Sequence, residues 1–143
     1  MRLQLALNVS NLAESIDFYH RMFGVAPAKV KEGYANFAIE NPPLKLVLFE
    51  GGGAPGSINH LGVETESAAE VSFAEARLAA EGLDPTLTAE TICCFAEKTE
   101  TWVDAPDGQK WEWYVKTGDT EQMQNVVLRQ VGAAAGTETP CCS

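Results

Sequence analysis

Positive charge is scarce in this sequence: 10 Lys and Arg stand against 20 Asp and Glu, a net charge of −10. That balance repels phosphate backbones and anionic headgroups, so nucleic acid is not an expected partner. Long apolar runs are missing as well. The opening Met1-Arg2-Leu3-Gln4-Leu5-Ala6-Leu7 is too short for a secretory signal. No stretch of about 18 apolar residues suggests a membrane span, so a soluble, cytoplasmic protein is expected. A disulfide framework is absent too, because the cysteines fall into two adjacent pairs, Cys93-Cys94 and Cys141-Cys142. Bridging neighbours closes a small, strained ring, and cytosolic thiols stay reduced, so vicinal thiols are the expectation.

What is present is a duplication. With 143 residues, 45% of them apolar, the chain can build one compact domain but not two ordinary ones. Gln4 to Val9 reads as a strand, followed by Asn11 as helix cap, Glu14 completing a capping box, and Leu12, Ile16, Tyr19 and Phe23 at helical spacing up to Gly24. Strand-like runs follow at Tyr34–Ile39 and Leu44–Phe49, separated by Asn41-Pro42-Pro43. After a glycine-rich linker starting at Gly51, the plan recurs: a strand from His60 to Glu64, a capping box Ser67 to Glu70, and a stripe of Val71, Ala74 and Leu78 ending at Gly82. A closing strand around Trp111-Glu112-Trp113 matches the one at Leu44–Phe49, with Leu46 set against Glu112.

The expected fold is α+β: two tandem βαβββ modules, at 2–50 and 58–116, forming a curved mixed sheet around a metal-binding cavity. Residues 119–131 are expected as a C-terminal helix, with Met123, Val127 and Val131 on one face, completing a single domain over 1–131. Residues 132–143, which carry Cys141 and Cys142, read as a flexible tail.

Aligning the openings makes Gln4 and His60 equivalent, and the second closing strand adds Glu112. An imidazole nitrogen, a carboxylate and an amide oxygen form a mixed donor set resembling the facial triad of non-haem iron oxygenases, with positions left open. Each residue alone has a plainer reading as hydrogen-bonded structure. Glu112 stands out because it alternates with two tryptophans, and a buried carboxylate calls for a cation. With Leu46 in the equivalent place of the first module, a fourth protein ligand is not expected; His20 is read as a surface residue.

The segments QLALNVSNLAESIDFYHRMFG, GYANFAIENPPLKLVLFE, NHLGVE, ICCFAEKTETWV and DAPDGQKWEWY resemble the carbon-arsenic lyase branch of the vicinal-oxygen-chelate superfamily, some of whose members are called cadmium-induced proteins. The resemblance implies Fe(II) held by Gln4, His60 and Glu112, a trivalent organoarsenical bound as dithiolate by Cys93 and Cys94, and dioxygen as co-substrate. Extradiol dioxygenases typically carry His where Gln4 stands, which counts against a catechol substrate. Two alternatives stay open: a detoxification protein that binds arsenite or cadmium without redox chemistry, and an extradiol-type dioxygenase for a small organic substrate. Consecutive residues of a regular strand point to opposite faces, so Cys93 and Cys94 can share one arsenic only at a loop, turn or bulge; otherwise they are small core residues. Residues 96–101 read equally as a lid over the site or as an ordinary hairpin loop.

Overall fold

The computed structural model describes residues 1–131, so the expectations for the tail and for Cys141-Cys142 lie outside the described residues. The chain forms two compact units, Arg2–Leu61 and a second beginning at Gly62. Each contains one helix and a mixed sheet. Among the described residues no helix is long and apolar enough to cross a membrane.

The first unit comprises β1 (Arg2–Val9), α1 (Leu12–Phe23), β2 (Lys29–Lys31), β3 (Tyr34–Ile39) and β4 (Leu44–Glu50), ordered β2-β3-β4-β1 in the sheet. β1 and β4 are parallel while β2-β3 and β3-β4 are antiparallel. The helix starts where the sequence says it should, because Asn11 Oδ1 accepts the Glu14 amide at 3.0 Å. It stops at Gly24, whose φ of 69° suits the left-handed cap that glycine enters without penalty. Leu12, Ile16, Tyr19 and Phe23 then pack on Phe37, Ile39, Leu46 and Leu48 of the sheet. Full burial of such a side chain contributes about 1.5–3 kcal/mol, and the partly buried Ile16, Tyr19 and Phe23 contribute less than that each.

The plan then repeats. β5 (Ile58–Glu64), whose residues up to Leu61 belong to the first unit, leads through α2 (Ala68–Ala80) to β6 (Ala89–Cys93), β7 (Ala96–Asp104) and β8 (Lys110–Asp119), with the second unit's sheet ordered β8-β7-β6 and extended by β9 (Val126–Gln130). Ser67 caps α2 by accepting the Glu70 amide at 3.2 Å, but the return bond differs from a standard capping box: the Glu70 carboxylate accepts from Glu66 N at 2.7 Å. Val71, Ala74 and Leu78 are buried as their spacing requires.

Three expectations are overturned. Residues 119–131 form no helix; β9 pairs antiparallel with β6 instead. The valine spacing that mimics a helical stripe belongs to an edge strand whose Val126, Val127 and Leu128 are all exposed, so no buried face marks its true period. Residues 96–101 are neither lid nor loop. They open β7, a strand paired on both sides by β6 and β8, with Lys98, Thr99, Glu100 and Thr101 buried. Finally, Leu46 is not the counterpart of Glu112. Leu46 faces α1, whereas Glu112 alternates with Trp113, which lies under the Arg77 guanidinium of α2, 5.8 Å from ring centroid to Arg77 Cζ. Glu112 therefore points away from its helix, and the one-residue slip in the internal alignment exchanges faces. On the face turned away from α1, β4 offers Lys45, Val47 and Phe49, none of them a carboxylate or imidazole.

Candidate metal and thiol site

In the first unit, Gln4 of β1 and His60 of β5 are both buried, with Gln4 Nε2 and His60 Nε2 3.0 Å apart. The polarity of that contact is dictated from below. The Ala54 carbonyl can only accept, so Ser57 donates to it at 2.5 Å; the Ser57 oxygen then accepts from Asn8 Nδ2 at 2.9 Å. Asn8 Oδ1 accepts from Asn59 Nδ2 at 3.0 Å, which turns Asn59 Oδ1 toward His60 Nδ1 at 2.8 Å. Because that oxygen has no proton, His60 Nδ1 carries one and Nε2 presents its lone pair. A half-turn of the Gln4 amide puts its oxygen where its nitrogen stands, giving two lone-pair donors facing one point. That arrangement fits a metal ion, and the Asn59 contact is the kind of outer hydrogen bond that metal-ligating histidines use.

The glycine-rich stretch is thus more than a linker. A Cβ at Gly52 or Gly53 would meet the Asn8 amide at 2.7 Å, so only glycine lets this loop close over it. The loop is further tied by Gly56 N to Asn8 O at 2.8 Å.

Glu112 lies in the second unit, fully buried, with Lys98 Nζ 2.8 Å from its Oε1. The ammonium also stands 5.1 Å from the centroid of the Tyr114 ring. Glu100, on the same face and equally buried, has its carboxyl pushed up to about 8, by burial first and then by the neighbouring Glu112 charge, with Lys98 opposing. Its oxygens make no hydrogen bond of ordinary geometry although Glu112 and Trp102 both bias its proton. A proton on Glu100 reconciles the two, since a neutral carboxyl can donate toward Glu112 where a second carboxylate cannot. Lys98 and Glu112 charged with Glu100 neutral makes a cluster of zero net charge, the least costly state inside a protein.

Among the described residues no three His, Cys, Asp or Glu gather. A metal centre here must draw on another donor type, and the amide of Gln4 beside His60 is such a donor. Glu50, the carboxylate near the end of β4, is engaged elsewhere, accepting the Leu12 amide at 2.7 Å.

The cysteine pair meets its geometric condition. Cys93 ends β6, Ala96 opposite it begins β7, and Cys94 and Phe95 between them have φ of 54° and 61°. Positive φ at both central residues is the pattern of a two-residue I′ hairpin, normally built from Asn and Gly. The turn brings the sulfurs to 2.9 Å, with both cysteines buried. The turn thus sets the two sulfurs side by side.

Sequence reasoning missed Lys98, Glu100, Asn8 and Asn59. Only the Asn-His step at 59–60 carried a local signal; the others acquire meaning through partners far along the chain.

A 45% identical relative over 143 residues, spanning 99% of this chain and 88% of its own, is the trivalent organoarsenical cleaving enzyme of Thermomonospora curvata. The cadmium-induced protein of Mycobacterium tuberculosis is 46% identical over 141 residues, covering 99% of this chain and 92% of its own. Among solved structures, the Mn(II)-bound glyoxalase from Novosphingobium aromaticivorans superposes with a TM-score of 0.60 at 16% identity, over 84% of this chain and 40% of that one. At that identity the likeness speaks for the fold alone, which agrees with the paired modules described above. Residues 3–113 match the profile of the Glyoxalase/Bleomycin resistance protein/Dioxygenase superfamily, and the chain belongs to that superfamily.

Proposed function

We propose that this protein cleaves the carbon-arsenic bond of trivalent organoarsenicals such as methylarsonous acid, using Fe(II) and dioxygen and releasing arsenite. The observation that carries the proposal is the Cys93-Cys94 turn, whose sulfurs stand 2.9 Å apart. Soft thiolates grip a thiophilic centre such as trivalent arsenic, and two on one turn do so as a chelate. The name of the Thermomonospora relative supports the same chemistry.

Gln4, His60 and Glu112 would hold the metal, His60 through Nε2 and Glu112 through a carboxylate that already carries a cation. Bound there, Fe(II) supplies the centre at which dioxygen is activated. Cys93 and Cys94 hold the arsenic and fix the direction of its carbon. Asn59 holds the proton on His60 Nδ1 throughout. Lys98 and Glu100 keep the charge around Glu112 balanced, and their burial excludes water from the carboxylate. Methylarsonous acid plus dioxygen equals arsenous acid plus formaldehyde, atom for atom, so the reaction needs no external reductant. Thiols that must stay reduced call for a reducing compartment, so the proposal includes a cytoplasmic location.

A second function, capture of arsenite or cadmium by thiols without turnover, is in keeping with a relative named as cadmium-induced. Anaerobic loading with Fe(II), addition of methylarsonous acid and then admission of air separates the two. Arsenite and formaldehyde appearing only after air supports cleavage; a bound arsenical with its methyl group intact supports capture. Cys93→Ser or Cys94→Ser is expected to keep iron and lose turnover.

A further inference from the structure

The Cys94-Phe95 turn is an unusual object. Entering the left-handed region is costly for an L-residue, and two in succession, neither Gly nor Asn, need something outside the turn to hold them. Neither amide is free to meet solvent, since Cys94 and Phe95 are buried. Both are taken up by the arm that follows β8: Cys94 N donates to Met123 O at 3.1 Å and Phe95 N to Gln122 O at 2.9 Å. The arm also donates, from Thr120 N to Phe95 O at 2.9 Å. Beyond it β9 pairs along β6, setting Val126 opposite Ile92, one residue before the first cysteine. The arm thus satisfies both amides of the turn, and buried amides left unpaired would be costly.

We propose that the arm formed by residues 119–130 belongs to the arsenical-binding site: by clasping the turn it keeps both sulfurs on one point, and it thereby selects ligands that take two thiolates at a single centre over ligands that take one. This rests on the reading of Cys93 and Cys94 as the arsenic-binding pair. Without the clasp the turn relaxes toward a regular strand or an open loop, in which neighbouring side chains diverge. Each thiol stays reactive, but the chelate must then be assembled at an ordering cost. Phe95 is the positioning residue, because its backbone conformation, rather than any contact of its ring with substrate, sets where the Cys94 sulfur points.

The test uses the chain with Cys141→Ser and Cys142→Ser, so that only Cys93 and Cys94 remain. Phenylarsine oxide serves as the ligand that takes two thiolates, and iodoacetamide as the reagent that takes one. Phe95→Val, a β-branched residue more averse to positive φ than Phe, is expected to weaken phenylarsine oxide binding about tenfold, while alkylation stays equal or quickens. Phe95→Gly, which removes the ring but permits the conformation, is expected to retain the parent affinity. Removal of residues 119–143 is expected to act like Phe95→Val, and removal of 132–143 to change nothing. If the longer truncation does not fold, the two Phe95 variants decide. The proposal is overturned if folded Phe95→Val binds phenylarsine oxide like the parent, or if Phe95→Gly loses as much as Phe95→Val, which would make ring packing the determinant. A Cys93→Ser, Cys94→Ser chain that still binds phenylarsine oxide sinks the functional reading itself. Parent-like binding by Phe95→Val, with none by the double serine chain, sinks only the role of the arm.

Discussion

On β3 and β4 of the first module, Tyr34, Asn36, Val47 and Phe49 share the face turned away from the helix, with Tyr34 and Phe49 meeting edge to face at 5.4 Å. On β7 and β8 of the second, the face turned away from the helix carries Glu100, Trp102, Glu112 and Tyr114, joined by Lys98. On these two strands the first module meets its burial with rings and an amide bond from Asn36 Nδ2 to the Tyr34 hydroxyl at 3.0 Å. The second buries two carboxyls and an ammonium at nearly the same solvent exclusion. One duplicated backbone thus supports a strand pair without buried charge and a strand pair with it. The difference teaches that the fold does not require the charges.

The comparison breaks most sharply at Glu112. Glu112→Val gives β8 the content of β4 and leaves the Lys98 ammonium buried without its anion, a loss of about 3–5 kcal/mol. Urea unfolding measures that loss, and an Fe(II) or Co(II) titration is expected to find no stoichiometric site. Adding Lys98→Met to Glu112→Val should recover most of the stability and none of the metal binding, because an apolar pair of similar volume replaces a buried ion pair at little net cost. If the double variant is as unstable as the single one, the ion pair is not what couples these strands.

A smaller effect is expected in the first module. Asn59→Ala removes the acceptor that holds the proton on His60 Nδ1, and metal affinity should fall about tenfold, the lower end for outer-shell partners of a ligating histidine. Stability to urea without metal should move less than in Glu112→Val, since the two polar links lost, to Asn8 and to His60, involve no buried ion pair. Equal metal affinity in the variant would show that the Ser57–Asn8–Asn59 relay serves the loop alone.

The mildest change is Glu100→Gln, read on metal-free protein. Because the folded pKa of Glu100, about 8, lies above its unfolded value of 4.5, the folded state holds the proton more tightly. The unfolded chain binds fewer protons between those values, so stability falls as pH rises through that window and levels off above it. The substituted amide cannot titrate, so the variant should track the parent near pH 5 and surpass it progressively toward pH 8. Parallel pH profiles would show Glu100 ionised at neutral pH, against the neutral cluster described above.

Both helices were legible because their determinants are local. Asn11 and Ser67 cap from the positions their side chains predict, Gly24 stops α1, and Val71, Ala74 and Leu78 recur at the period of a helix face. β8 runs several residues past the expected close of its module, while β3, β4 and β5 were legible within a residue or two, and so was the duplication. β9 was not: an edge strand with both faces exposed carries no period, and valines four apart imitate a helix. β7 was misread for a related reason. A run containing Lys98 and Glu100 looks like solvated loop until Glu112, brought from β8, supplies the charge that offsets the cost of its burial.

The sequence by itself determined the two-module plan and the acidic balance, because composition and short-range period need no partner to be read. The tertiary structure alone decided the face on which Glu112 lies, since a shift of one residue reverses a strand. It also decided the proton on His60, which the carbonyl of Ala54 fixes through three intervening side chains. And it decided the setting of the cysteine pair: Cys94 and Phe95 carry no local signal for a left-handed turn, and their amides are accepted by carbonyls nearly thirty positions later, at Met123 and Gln122.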